Sequence, residues 1–312
     1  MTGRALVTGA LGFVGSALCA HLKRQGWELV RTDLDDAVGH RDFLSCDLTR
    51  PEQIESLLER AGDLTHLFHL AARTFVPESI EDPAGTLDAN LQAVIHLGSS
   101  AQRITPGIRF VFASTSEIYG PPASTPVTED HPFNPQNPYA ITKAAADHYC
   151  RYLAETDGAD VVRLRLFNHS GPGQSGRFVL SSFARQIADI EAGRAAPVLR
   201  VGNLEARRDF THVDDVLRAY EAAALGSATG EAYNICSGES HSMQEALDIL
   251  LDLSTVAVTV EVDPERLRPS DIPEICGSYE KFAAATGWNP TKSFDEIMED
   301  LLGYWRQPKH PD

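Results

Sequence analysis

The chain has 312 residues, 43% of them hydrophobic, which is enough to bury one large core or a large domain with a smaller lobe packed on it. Its formal net charge of -17 repels nucleic acid and anionic lipid, so neither is expected as a partner. No apolar run approaches the roughly 20 residues that cross a bilayer, and Met1-Thr2-Gly3-Arg4 passes straight into an apolar strand without a signal-peptide core, so a cytoplasmic protein is expected.

Short apolar runs alternate with helix-like stretches through the first half. Residues 5–8, 29–32, 67–72, 110–113 and 161–167 read as strands, and 14–25, 51–60, 88–102 and 139–155 carry helical apolar spacing. That alternation predicts an α/β fold, a Rossmann-type doubly wound parallel sheet. After Phe167 the rhythm breaks into Gly/Pro-rich turns, a helix over 178–191, a strand over 198–201, and helices over 213–225 and 243–251. The organisation predicted is a dinucleotide-binding domain over 1–167 and a smaller C-terminal substrate-binding lobe over 168–312, with some segments returning to the main sheet. The five cysteines, Cys19, Cys46, Cys150, Cys236 and Cys276, are widely spaced among apolar neighbours, so neither a disulfide framework nor a metal site is expected.

The first strand runs into Thr8-Gly9-Ala10-Leu11-Gly12-Phe13-Val14-Gly15 and then a helix. Glycines 9, 12 and 15 permit a tight turn, close approach of backbone N–H groups to a pyrophosphate, and close helix–strand packing. Gly9, Leu11, Gly12, Phe13, Val14 and Gly15 are therefore candidate cofactor contacts. Asp33 ends the second strand, near the offset at which a carboxylate binds the adenosine ribose hydroxyls; an Asx turn is the bland alternative. A carboxylate there repels a 2'-phosphate, so NAD (NADH) is favoured and NADP remains possible, with Arg31 on the same side of the strand.

The strand over 110–113 exits into Ser114-Thr115-Ser116-Glu117-Ile118-Tyr119-Gly120, and hydroxyls at that end face the cofactor crevice. A helix can begin after Asn134-Pro135-Gln136-Asn137-Pro138, which places Tyr139 and Lys143 four residues apart on one face. A phenol titrates near pH 10, and a cation beside it favours the phenolate. Thr115, Tyr139 and Lys143 thus read as a proton-transfer set, in which Lys143 lowers the phenol's pKa and binds the nicotinamide ribose. The arginine clusters Arg207-Arg208 and Arg266-x-Arg268 are candidates to meet an anionic ligand, although charge runs are usually solvated faces.

Together the glycine-rich start, His69-Leu70-Ala71-Ala72, Asn90, Ser114-Thr115-Ser116 and Tyr139-x-x-x-Lys143 resemble the extended short-chain dehydrogenase/reductase family, enzymes that modify nucleotide sugars. The resemblance implies that Thr115, Tyr139 and Lys143 are the catalytic set. It places Asp47 and Leu48 at the adenine, with Leu70, Ala71, Ala72 and Asn90 also on the cofactor side, and it implies a homodimer packed through helices 88–102 and 139–155.

In the second half, Phe167 to Ser175, Arg177-Phe178-Val179, Val201 to Thr211 and Leu267-Arg268-Pro269-Ser270-Asp271 are most similar to GDP-4-dehydro-6-deoxy-mannose reductases. This implies a nucleotide diphosphate-sugar held by Asn168, Arg177 and Val179, its diphosphate gripped by Arg208 and Arg268, with Asn203 and Glu205 near the base. The reaction implied is reduction of the C4 ketone of a GDP-4-keto-6-deoxyhexose by NAD(P)H. Ser114 to Gly120 also resembles the matching piece of GDP-mannose 4,6-dehydratases, in which Glu117 would remove the sugar C5 proton. A redox-neutral epimerase or dehydratase is therefore the alternative. A non-catalytic dinucleotide sensor would need no intact Thr/Tyr/Lys set.

Overall fold

The computed structural model describes residues 3–34, 42–266 and 272–307. Its first half contains β1 (Arg4–Thr8), α1 (Phe13–Arg24), β2 (Glu28–Thr32), α2 (Pro51–Ala61), β3 (His66–His69), α3 (Val76–Glu81), α4 (Pro83–Leu87), α5 (Ala93–Ile104), β4 (Arg109–Thr115), α6 (Pro138–Asp157) and β5 (Val161–Leu166). The second half adds β6 (Asn168–Ser170), α7 (Val179–Glu191), β7 (Val198–Val201), β8 (Arg207–His212), α8 (Val213–Gly226), β9 (Ala232–Ile235) and β10 (Ser240–Ser242). It closes with α9 (Met243–Asp252), β11 (Thr259–Val262), β12 (Glu274–Ile275), α10 (Glu280–Thr286) and α11 (Phe294–Arg306).

A six-stranded, all-parallel sheet runs in the order β2-β1-β3-β4-β5-β9. Successive side chains of its strands point to opposite faces, and both faces are buried, as a parallel sheet requires. On one face Val7, Val111 and Leu164 pack with Leu18 and Leu22 of α1 and Val216 and Tyr220 of α8. On the other, Leu6, Phe112 and Val161 pack with Leu58 of α2, Leu97 of α5 and Leu153 of α6. The chain leaves β1 toward β2 on one side and reaches β3 on the other, so a crevice opens beyond the carboxyl ends of β1 and β3.

Beyond these ends a second core gathers Phe183 and Ile187 of α7, Val201 of β7, Leu247 of α9, and Met298 and Leu301 of α11. Small sheets β10-β8-β12, with β6 beside β8, and β11-β7 lie in this part.

Two predicted elements differ in form. The strand expected over 67–72 ends at His69, because the Leu70 and Ala71 N–H groups turn to the Thr8 hydroxyl, each at 3.2 Å. The helix expected over 88–102 opens as a π-helical turn at Asp88–Gln92 before continuing as α5, and two short helices that the apolar spacing does not announce, α3 and α4, precede it. Pro77 and Pro83 open the two short helices, and the Asp82 side chain caps the second by accepting from Gly85 N at 2.9 Å.

Candidate active site

A cleft of about 1470 Å³ crosses the carboxyl ends of the main sheet and continues under the second core. At one end it is lined by Gly9, Leu11, Gly12, Phe13, Val14 and Gly15. Gly9 has φ 68, and a Cβ there would stand 2.8 Å from the Ala71 nitrogen; a Cβ at Gly15 would overlap the Gly9 carbonyl. Only glycine permits this turn, and it leaves the first N–H groups of α1 facing the cleft, where they suit a pyrophosphate. Asp33 lines the cleft too, its carboxylate accepting from Leu11 N and Leu34 N, both at 2.9 Å. Asp47, Leu48, Leu70, Ala71 and Ala72 complete this wall.

Arg31 does not line the cleft. Its guanidinium is engaged by Asp42 at 2.7 and 3.1 Å, and its hydrogen bond is the main cause holding the Asp42 carboxyl well below the usual carboxylate range. A nicotinamide adenine dinucleotide fits these residues: backbone donors for the diphosphate and a carboxylate for the ribose hydroxyls.

Asn90, assigned to the cofactor by resemblance, lies elsewhere. It is buried outside the cleft lining, accepts from Arg73 N at 2.8 Å, and donates to Arg73 O at 3.0 Å and Thr142 Oγ1 at 3.2 Å. The π-helical turn aims its amide at the peptide of Arg73, so it braces the 70–74 wall from behind.

In the middle of the cleft Thr115, the last residue of β4, meets Tyr139 and Lys143 of α6. The helix starts where it does because Asn137 caps it, accepting from Ala140 N at 2.8 Å, and Pro138 occupies its first turn. The same Asn137 donates through Nδ2 to Glu117 Oε2 at 3.3 Å, fixing that carboxylate at the cleft. Tyr139 and Lys143 are both buried.

The pair does not have the electrostatics expected from its spacing. Burial pushes the Tyr139 phenol up to about 12; the Thr115 hydroxyl near it opposes this and the Glu117 charge adds to it. Lys143 instead donates to the Ala113 carbonyl at 2.7 Å and stands 4.9 Å over the Phe112 ring, and burial brings it down to about 8. Desolvation disfavours both charged forms and here outweighs their proximity.

The second half contributes Asn168, Arg177, Val179, Asn203 and Arg208 to the cleft. Arg208 donates to the carbonyls of Arg207 at 2.8 Å and Ile272 at 2.6 Å, which fixes it at the wall. Its neighbour Arg207 turns to Glu245 at 2.9 Å. Arg177 pairs with Glu78 at 2.6 Å and lies 3.9 Å over the Phe75 ring, so it bridges the two walls. Glu205 is exposed and does not line the cleft, because its strand connection turns it outward beside Asn203. Arg268 lies outside the described residues.

Sequence reasoning misses several lining residues, among them His169, Phe75 and Phe178. His169 stacks on Phe13 with centroids 6.2 Å apart. It lies inside the motif Phe167 to Ser175, where only Asn168 carries an implied contact. Arg266 also lines the cleft, and in the sequence it stands out only as one of a charged cluster.

The family described as GDP-mannose 4,6 dehydratase matches residues 6–301. The chain belongs to this family. It is 35% identical over 309 residues to GDP-6-deoxy-D-mannose reductase of Pseudomonas aeruginosa, covering 98% of both chains. The solved structure of RMD from Pseudomonas aeruginosa complexed with NADPH is similar with a TM-score of 0.87 at 34% identity, covering 98% of this chain and 99% of that one. UDP-glucose 4-epimerase of Thermus thermophilus, in complex with NAD, is similar with a TM-score of 0.86 at 31% identity, covering 98% and 100%. The family member is thus an NAD(P)-dependent enzyme of the extended short-chain dehydrogenase/reductase kind, as its motifs implied. Among its described residues no helix is long and apolar enough to cross a membrane.

Proposed function

We propose that this enzyme reduces the C4 ketone of a GDP-linked 4-keto-6-deoxyhexose, the chemistry of GDP-rhamnose synthesis. The observation that carries the reading is the gathering of Thr115, Tyr139 and Lys143 on one cleft wall, in a chain 35% identical to a GDP-6-deoxy-D-mannose reductase. Bound NAD(P)H supplies the hydride. Tyr139 gives its phenolic proton to O4, and the burial that keeps this phenol protonated suits an acid more than a base. Thr115 orients and polarises the carbonyl, and Lys143 holds the nicotinamide ribose.

Asn168, Val179, Asn203 and Arg208, with Arg177 and Arg268, bind the nucleotide diphosphate-sugar. Guanidinium forks match phosphate oxygens and offset the long-range repulsion of an acidic protein. NADH is the preferred reductant, since Asp33 stands at the ribose end and Asp42 engages Arg31. The NADPH complex of the Pseudomonas aeruginosa relative keeps NADPH in the test. The protein acts in the cytoplasm as a homodimer, for which exposed Leu87 and Ile141 and the half-exposed Tyr152, on α4 and α6, offer an apolar face.

Glu117 favours a second reading. Its carboxylate lines the cleft near enough to act on the Tyr139 phenol, where a 4,6-dehydratase needs a base for the C5 proton. A redox-neutral dehydratase or 4-epimerase then retains its NAD.

A panel of GDP-, UDP- and dTDP-sugars with NADH, NADPH or no added cofactor, with products identified by mass and NMR, separates the readings. Stoichiometric NADH loss with a GDP-linked keto sugar is the result expected. Conversion of the unoxidised sugar with no added cofactor would replace it by the second reading.

A further inference from the structure

Tyr139, Lys143 and Asp147 recur at four-residue spacing on one face of α6, so the helix carries a third buried ionisable group one turn beyond the pair. Asp147 is 0% exposed and lines no part of the cleft. Its Oδ1 accepts from Arg163 Nη1 at 2.9 Å and Arg165 Nη2 at 3.1 Å, and its Oδ2 accepts from Arg165 Nε at 3.2 Å. Both arginines come from β5, whose alternate residues Val162 and Leu164 face the α1/α8 layer while Arg163 and Arg165 are buried toward α6.

The network continues outward. Arg163 donates to the Gly230 carbonyl at 2.7 Å, and Arg165 to the Tyr119 hydroxyl and the Glu129 carbonyl, both at 2.9 Å. Tyr119 donates in turn to Asn234 Oδ1 of β9 at 2.7 Å. Burying three charges is costly, and well-packed apolar side chains would hold helix to sheet at least as firmly, so stability alone does not account for them.

We propose that Asp147 is the positioning residue of the catalytic helix: anchored by Arg163 and Arg165, it fixes the rotation of α6 that brings Tyr139 to Thr115, and it presents to Lys143 the negative charge that holds the ammonium. On β4 the Ala113 carbonyl receives the Lys143 ammonium.

Lys143 is faced by Tyr139, Asp147 and Cys150 along α6, by His69 from β3, and by the Phe112 ring and Ala113 carbonyl from β4. Burial drives His69 down to about 3 and pushes the Cys150 thiol far up, so both are neutral and Asp147 is the anion of this group. Burial raises the Asp147 carboxyl, but Arg165 and Arg163 bring it below the usual carboxylate range.

The proposal rests on the reading of Tyr139 and Lys143 as acid and support. It is tested by the pH dependence of kcat/KM with NADH and the GDP-linked keto sugar in Asp147→Asn and Arg163→Gln, beside NADH fluorescence titrations and thermal midpoints. Removing the anion deprives Lys143 of its nearby negative charge and leaves the Arg163 and Arg165 charges uncompensated one helical turn away, so the ammonium loses its proton at lower pH. The alkaline limb of Asp147→Asn should therefore move down by about one pH unit. Removing Arg163 leaves Asp147 less compensated, and that limb should move up. Opposite shifts are not produced by a purely structural defect, which lowers amplitude and thermal midpoint alone. If Asp147→Asn does not fold, the upward shift in Arg163→Gln supports the proposal by itself. Limbs that stay in place, while Tyr139→Phe is inactive, overturn the proposal and leave the reading of the pair intact; an active Tyr139→Phe overturns both.

Discussion

Burial fits Tyr139 for proton donation. A phenol pushed up to about 12 is held protonated through the neutral range, ready for an oxygen that gains negative charge as hydride reaches its carbon. Tyr139→Phe deletes the donor and keeps the ring, so kcat should fall by about 10²–10⁴-fold, the range of general acid catalysis, while NADH affinity measured by fluorescence stays near wild type. A variant turning over within a few-fold of wild type would remove Tyr139 from the chemistry. Much of this set is legible in the sequence, because Thr115 stands at a strand exit and Tyr139 and Lys143 at fixed helical spacing, both local properties. The sign of the pKa shift is not. Spacing reports that a cation and a phenol are neighbours, whereas desolvation depends on the layers that tertiary packing closes over them. Asn90 shows the same limit: its residue type suits a ligand contact, but the helix geometry around it decides which peptide its amide meets.

The elements that carry the site are set by short signals of unequal strength. Asn137-Pro138 is a strong one, a cap followed by a residue that cannot continue a strand ladder, and α6 begins there. Asn137→Ala removes the cap and the partner of Glu117 together. It should cost about 1 kcal/mol of stability, read as a lower midpoint in urea with unchanged slope. An unaltered midpoint would mean that packing of α6, not its cap, fixes the start of the helix. The region before α5 is less legible. A π turn shifts the phase at the start of the helix expected over 88–102, and the two short helices ahead of it, with Pro77 and Pro83 in their first turns, are too brief for periodicity to show. Strand β9 has no motif to announce it, and its place beside β5 is fixed by long-range pairing that periodicity does not encode.

At the scale of the molecule, the parallel sheet brings the glycine turn, Asp33, Thr115 and Tyr139 to one crevice because every strand presents its carboxyl end to the same side. The second core then lays Asn168, Asn203 and Arg208 along the continuation of that crevice. This arrangement is legible in outline from strand–helix alternation, while the residues it recruits across long separations, such as Arg177 against Glu78, are not. Under the proposed function, an acidic chain would meet its anionic ligand through a few arginines fixed by backbone carbonyls and carboxylates. The central claim is that hydride stays on the sugar. Incubation with a GDP-linked 4-keto-6-deoxyhexose and NADH deuterated at the transferring position of the nicotinamide tests it, with the product read by NMR. The reductase account predicts deuterium at C4 of the product in equal amount to the NAD formed; a product without deuterium at C4, formed with no net oxidation of NADH, would contradict it.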